Sequence, residues 1–92
     1  MANKKVPPPP KPISRERLKK RFGRIVREKR EALGLTQREL SIRIYGSPAR
    51  GNIAQIERGG AGITLYTLFV LARALDCMAE DLVPVDDITI AE

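Results

Sequence analysis

The 92-residue chain is predicted to fold as a compact all-α domain of five short helices. Three observations lead to this fold class. Apolar residues recur at three- and four-residue intervals, hydroxyl side chains stand where helices would begin, and glycine or proline stands where they would end. The alternation typical of a strand occurs only near the C-terminus, at Ile88 and Ile90. We leave open whether that segment adds a strand at an interface or is disordered.

The first helix is predicted to begin after Ser14, whose hydroxyl can cap an N-terminus, and to end before Gly34. Leu18 and Phe22 begin an apolar stripe along this helix, and basic residues occupy another side. Gly23 falls within the helix, and we expect it to mark a kink or a break.

The second and third helices are expected to form a helix-turn-helix. Thr36 and Glu39 have the spacing of a capping box, and Gly46 is expected to end the second helix. The third helix is predicted over Pro48 to Arg58, with Ser47 as its N-cap and proline at the first helical position. A short turn containing glycine between two helices is the arrangement that defines this motif.

The fourth helix is predicted to follow Thr64 as N-cap and is strongly apolar. A short fifth helix is predicted over residues 78–83 and is closed by Pro84. Met78 stands where a capping hydroxyl is common, so we expect this helix to fray or to pack against a partner. The predicted parts are a disordered, basic, proline-rich arm at 1–13, a helix-turn-helix domain at 14–83 and an acidic tail at 84–92.

Charge divides the chain unevenly. The net charge is +6, but residues 1–30 contain twelve Lys or Arg and two Glu, whereas residues 31–92 contain five Arg and nine acidic residues. This uneven distribution of charge predicts that the basic N-terminal part of the chain binds a polyanion. A solvated basic tail kept for solubility remains the alternative.

Composition argues against several classes of protein. Histidine is absent and Cys77 is the single cysteine, so a zinc site, histidine-based catalysis and an internal disulfide are disfavoured. We expect no enzyme activity, no cofactor and no metal. No apolar run approaches the roughly 18 residues of a membrane span, and no apolar signal-peptide core follows the basic start. A cytoplasmic, nucleoid-associated protein is therefore expected.

Three motifs together resemble a known family. "GLTQREL" at 34–40, "NIAQIERG" at 52–59 and "ITLYTLFVLARAL" at 63–75 are similar to the Xre/Cro-type helix-turn-helix family of phage-repressor-like regulators. The resemblance runs from about Phe22 to Val83. It implies a five-helix domain that binds operator DNA, usually as a dimer, with the third helix in the major groove. Between Ile44 and Ile53 this chain has two residues more than is usual in the family.

The third helix is expected to read bases. At 100° per residue Ile53 and Ile56 face inward with Glu57, and the polar side chains face outward. Arginine and glutamine suit bidentate contacts with guanine and adenine edges. The expected base readers are Arg50, Asn52 and Gln55. Gly51 is expected to let DNA approach the helix backbone closely. The alternative for Gly51 is that the longer turn needs the backbone freedom of glycine. For the outward face as a whole, the alternative is a solvated polar surface that binds nothing.

The resemblance also implies supporting roles. Gln37 matches a position whose side chain and backbone amide touch a phosphate, and a helix N-terminus there would attract an anion. The expected phosphate contacts are Gln37, Arg58, Arg17, Arg21, Lys5 and Lys11. Arg30 and Glu57 match a family pair that forms a partly buried salt bridge. A dimer seam is expected at Leu75, Met78, Leu82 and Val83, with the monomer core as the alternative role of each.

The implied function is a sequence-specific DNA-binding regulator, foremost a homodimeric repressor that reads an imperfect palindrome. An activator such as a restriction-modification controller has the same DNA-binding domain and is not separated by sequence. An antitoxin or other protein-binding module that also binds its own operator is the alternative, with a toxin or an antirepressor as protein partner. A nonspecific binder of nucleic acid or of anionic membranes is a further alternative.

Overall fold

The computed structural model describes residues 5–48 and 52–85. The helices are α1 (Arg15–Ala32), α2 (Gln37–Tyr45), α3 (Ile53–Glu57), α4 (Leu65–Ala74) and a 3-10 helix (Ala79–Leu82). The described residues contain no strand, which confirms the all-α class. The fifth predicted helix is a single 3-10 turn, so the helix count differs from five α-helices. Ile88 and Ile90 lie outside the described residues. Within the two described ranges, no helix combines the length and apolarity needed to cross a membrane.

The N-caps of three helices are confirmed. The Ser14 hydroxyl accepts a hydrogen bond from the backbone N–H of Arg17 at 3.2 Å. The Thr36 hydroxyl accepts from Glu39 N at 3.0 Å, and the Glu39 carboxylate accepts from Thr36 N at 2.9 Å, which completes the capping box. At the start of α4 the Thr64 hydroxyl accepts from the N–H three residues on.

Glycines end the first three helices as predicted. Gly34, Gly46 and Gly59 have φ values of 72°, 76° and 78°, in the left-handed region that favours glycine. After α1, Leu35 N donates to the carbonyl of Arg30 at 3.1 Å, and Gly34 N donates to that of Glu31 at 3.0 Å. These two bonds form a Schellman motif, and they turn the chain sharply into α2.

The predicted start of α3 at Pro48 is wrong, because the helix begins at Ile53. Asn52 precedes it with φ −116° and ψ 42°, and no side-chain hydrogen bond caps the helix. Ser47 belongs to the exit of α2, since the Ser41 hydroxyl donates to its carbonyl at 3.0 Å. The predictions for Arg50 and Gly51 concern residues outside the described ranges.

Of the kink or break expected at Gly23, the break is wrong, because α1 continues through this residue. The residue is buried where α1 crosses the end of α3. A Cβ added at Gly23 would meet the backbone carbonyl of Ile56 and would lie 2.6 Å from the carbonyl oxygen of Glu57. The glycine therefore allows the two helix backbones to touch.

One apolar core joins all the helices. It consists of Phe22, Val26, Leu40, Ile53, Ile56, Leu71, Ala72, Ala74, Leu75 and Leu82. The inward phase predicted for the two isoleucines of α3 is thus confirmed. Of the four residues expected at a dimer seam, Leu75 and Leu82 lie in this core, Val83 is half-buried and Met78 is 66% exposed. Asp81 stabilises the 3-10 turn, because its carboxylate accepts a hydrogen bond from the backbone N–H of Met78 at 3.0 Å.

Candidate nucleic-acid interface

The outer face of α3 is opposite Ile53 and Ile56. Asn52, Ala54 and Arg58 are exposed on it, and Gln55 is half-buried. Amide and guanidinium groups can pair with base edges, and the exposed methyl group of alanine suits contact with a thymine methyl group. The described part of this face thus carries the chemistry that base recognition needs.

Gln55 is held in place by two neighbours. Asn52 Nδ2 donates to Gln55 Oε1 at 2.7 Å, and Gln55 Nε2 donates to the carbonyl of Gly60 at 3.2 Å. The backbone N–H of Gly60 donates to the carbonyl of Gln55 at 2.9 Å. The side-chain amide keeps one N–H and one lone pair beyond these bonds, so it can still offer a donor and an acceptor to a base.

A buried ion pair fixes the inner side of α3. Arg30 Nε and Nη2 donate to the two carboxylate oxygens of Glu57 at 2.6 and 3.0 Å, and Nη1 donates to the carbonyl of Leu35 at 2.7 Å. The side chains of Arg30 and Glu57 are only 10% and 4% exposed. The hydrogen bond to Glu57 raises the pKa of Arg30 despite the opposing effect of burial, so the arginine keeps its charge. The geometry agrees with the salt bridge expected from the sequence.

Gln37 joins this ion pair, which the sequence did not indicate. Its Nε2 donates to Glu57 Oε1 at 2.9 Å, so the side chain predicted to touch a phosphate links the start of α2 to the end of α3. The two residues are twenty positions apart, and only the fold brings them together. The backbone amides at the N-terminus of α2 are still suited to attract an anion.

A basic surface runs along the first half of α1. Arg17, Lys20, Arg21 and Arg24 line one shallow depression together with Ser14 and Glu16. This part of α1 lies beside the end of α3, because a Cβ at Gly59 would come within 2.8 Å of Lys20 Cα. The predicted phosphate contacts Arg17 and Arg21 therefore share one surface, whereas Lys5 and Lys11 are exposed in the arm before it.

In the chain from 5 to 48 and from 52 to 85, no three His, Cys, Asp or Glu side chains come together in a way that could hold a metal ion. Cys77 is half-buried, and burial raises the pKa of its thiol.

A capped α2, followed by an exposed α3 that is anchored from behind, defines a helix-turn-helix DNA-binding domain. The family model HTH_3, described as helix-turn-helix, matches residues 26–82. The chain therefore belongs to this Xre/Cro-like family, and the predicted resemblance is confirmed. It is a DNA-binding transcription regulator rather than an enzyme.

Solved structures agree with this assignment. The chain is 33% identical to the restriction-modification controller protein C.AhdI from Aeromonas hydrophila, with a TM-score of 0.60 over 68% of this chain and 92% of that one. It is 26% identical to the clp gene regulator ClgR from C. glutamicum, with a TM-score of 0.63 over 76% and 86% of the two chains. An HTH_3 family transcriptional regulator from Vibrio cholerae shares the fold, with 23% identity and a TM-score of 0.68 over 82% of this chain and 41% of that one. No curated protein sequence matches the chain.

Proposed function

We propose that the protein is a homodimeric repressor that reads an imperfect palindrome, with α3 of each copy in the major groove. The observation that carries this proposal is the exposed outer face of α3, whose inner side is held by the Arg30–Glu57 ion pair and by the backbone contact at Gly23. A helix held so firmly presents its outer side chains at a defined angle, which base recognition requires.

The base readers we propose are Asn52 and Gln55, together with Arg50 from the turn before α3. Asn52 and Gln55 orient each other through their 2.7 Å hydrogen bond, so the pair would present a fixed pattern of donors and acceptors to the bases. Gly51 would allow close approach of DNA. Phosphate contacts would come from the α2 amides at Gln37 and from the basic residues Arg58, Arg17, Arg21, Lys5 and Lys11.

A dimer follows from the size of the reading helix. α3 has five residues, so a single copy can touch only a few base pairs. Two copies related by a two-fold axis would read half-sites about 34–36 Å apart. Tyr66 and Phe69 leave 75% and 52% of their surface exposed on α4, and we propose this apolar face as the contact between copies.

The test is selection of bound sequences from random double-stranded DNA at a stated salt concentration. The sequence that we expect to be selected is an imperfect palindrome. Gln55→Ala should then weaken binding to this sequence far more than binding to random DNA. Glu80→Ala, on the exposed side of the 3-10 turn, is the control and should change neither affinity. Equal losses on both DNAs would contradict the base-reading role, and the absence of any selected sequence would favour nonspecific binding.

A second candidate is supported by the similarity to C.AhdI, a restriction-modification controller protein. We propose that regulation of restriction-modification genes, including activation, is the alternative role of the same site. A reporter gene placed behind the selected sequence separates the two, because a repressor lowers its expression and an activator raises it. Copurification of a small basic protein would instead indicate an antitoxin. In each case the protein would act on DNA in the cytoplasm.

A further inference from the structure

An apolar groove opens between α1 and α4, and none of the residues that line it is among those proposed to contact DNA. It has a volume of about 360 Å³. Leu18 and Phe22 of α1, Leu65 and Leu68 of α4, and Val83 and Pro84 after the 3-10 turn are among the residues that line it. Leu65 is 70% exposed there, so apolar surface that could be buried is left in contact with water.

We propose that this groove holds residues 86–92 of the same chain, with the side chains of Ile88 and Ile90 inserted between α1 and α4. This inference goes beyond the proposed DNA binding and does not depend on it. The first support is position. Val83 and Pro84 are themselves part of the groove, so the segment that follows Val85 starts at its edge.

The length of residues 86–92 gives the second support for the proposal. Seven extended residues cover roughly 23 Å at about 3.3 Å per residue. Leu65 and Leu68, the residues of α4 that line the groove, are about 4.5 Å apart along the helix axis at 1.5 Å per residue, so the segment is long enough to pass both.

The sequence pattern gives the third support. In an extended segment Ile88 and Ile90 point to one side and Thr89 points to the other. The two isoleucines would then meet the leucines of the groove, while Thr89 would face water. The pattern of an apolar pair with a polar residue between them matches a groove that is open on one side.

Charge selects this segment over the N-terminal arm. Lys19 is among the residues that line the groove, and none of the lining residues is acidic. Asp86 and Asp87 would bring opposite charge to Lys19, whereas the arm would bring Lys5 and Lys11. Residues 5–12 of the arm are also exposed in the structure, so they do not fill the groove.

The experiment compares the methyl NMR resonances of Leu18, Leu65 and Leu68 in the full chain and in an Ile88→Ser/Ile90→Ser variant. The expected result is that these resonances shift, and that Tm falls by roughly 4–8 °C. Thr89→Ser is the matched control from the same segment and should leave both unchanged. An Ile88→Val/Ile90→Val variant should produce smaller shifts of the same resonances.

Two results would overturn the proposal. If the groove resonances are the same in the serine variant and in the unsubstituted chain, the segment does not lie there. If the two chains differ at high concentration but give the same groove resonances once both have been diluted to monomers, the segment comes from a second copy. DNA affinity is measured on the same samples, so a failure of the tail contact is distinguished from a failure of the proposed function.

Discussion

Replacing Glu57 with glutamine should destabilise the domain by about 3–5 kcal/mol, the cost of breaking a buried ion pair by removing one charge. The carboxylate accepts three hydrogen bonds, two from Arg30 and one from Gln37, at 2.6, 3.0 and 2.9 Å. Glutamine keeps the shape of the side chain but turns an NH₂ group towards donors. Arg30, whose side chain is only 10% exposed, would be left with a positive charge and only the exposed carboxylate of Glu31, 3.9 Å away.

Urea unfolding followed by far-UV circular dichroism measures this loss. Glu31→Gln is the matched control, because Glu31 pairs with Arg27 at 3.1 Å and approaches Arg30 at 3.9 Å but is 54% exposed. An exposed pair of this kind contributes about 0.2–1 kcal/mol. Equal losses from the two substitutions would refute the reasoning.

The double variant Arg30→Met/Glu57→Leu separates charge from packing. Replacement of a buried pair by apolar side chains of similar size is often close to neutral, so this variant should be more stable than Glu57→Gln alone. The raised pKa of Arg30 governs the pH dependence of the arginine's own contribution to stability. A raised pKa stabilises the fold fully below the unfolded value, which for arginine lies far above neutral pH, so this contribution should not change across the neutral range.

Two further predictions concern glycine packing and the thiol. Gly23→Ala should lower Tm markedly, because the added Cβ meets backbone carbonyls of α3, whereas Gly62→Ala, where a Cβ meets nothing within 4 Å, should leave Tm unchanged or slightly raised; equal effects would contradict the packing argument. Alkylation of Cys77 should require a higher pH in the folded protein than in urea, because burial raises the thiol pKa; coincident pH–rate profiles would show that burial does not control its reactivity.

Helix starts were predictable because their causes are local. Ser14, Thr36 and Thr64 each accept a hydrogen bond from the backbone N–H three positions on. The capping residue and its partner therefore both lie within four residues of sequence. The start of α3 was mispredicted because Ser47 has the residue type of an N-cap while its carbonyl is bound by Ser41 of the preceding helix. Residue type alone does not show which of two helices a turn residue belongs to.

Other features depend on contacts between distant parts of the chain. Helical spacing indicates that Leu75 and Leu82 are apolar positions, but not whether they face their own core or a second copy. The hydrogen bond between Gln37 and Glu57 likewise needs the crossing of α2 and α3 to be known. Glycine within a helix suggested a break at Gly23 because its propensity is poor, and close packing overrides that local preference.

The structure separates the orientation of α3 from the chemistry that it presents. Orientation depends on the buried ion pair and on backbone contacts at Gly23 and Gly59, all on the inner side or at the end of the helix. Ala54 and Arg58 are exposed, so substitutions there should alter recognition while changing stability by only about 0.5 kcal/mol. Gln55 is the exception, because its amide also binds the carbonyl of Gly60. Changes at Gln55 should therefore affect recognition and the α3–α4 loop together, and this coupling makes a stability measurement necessary whenever its DNA affinity is interpreted.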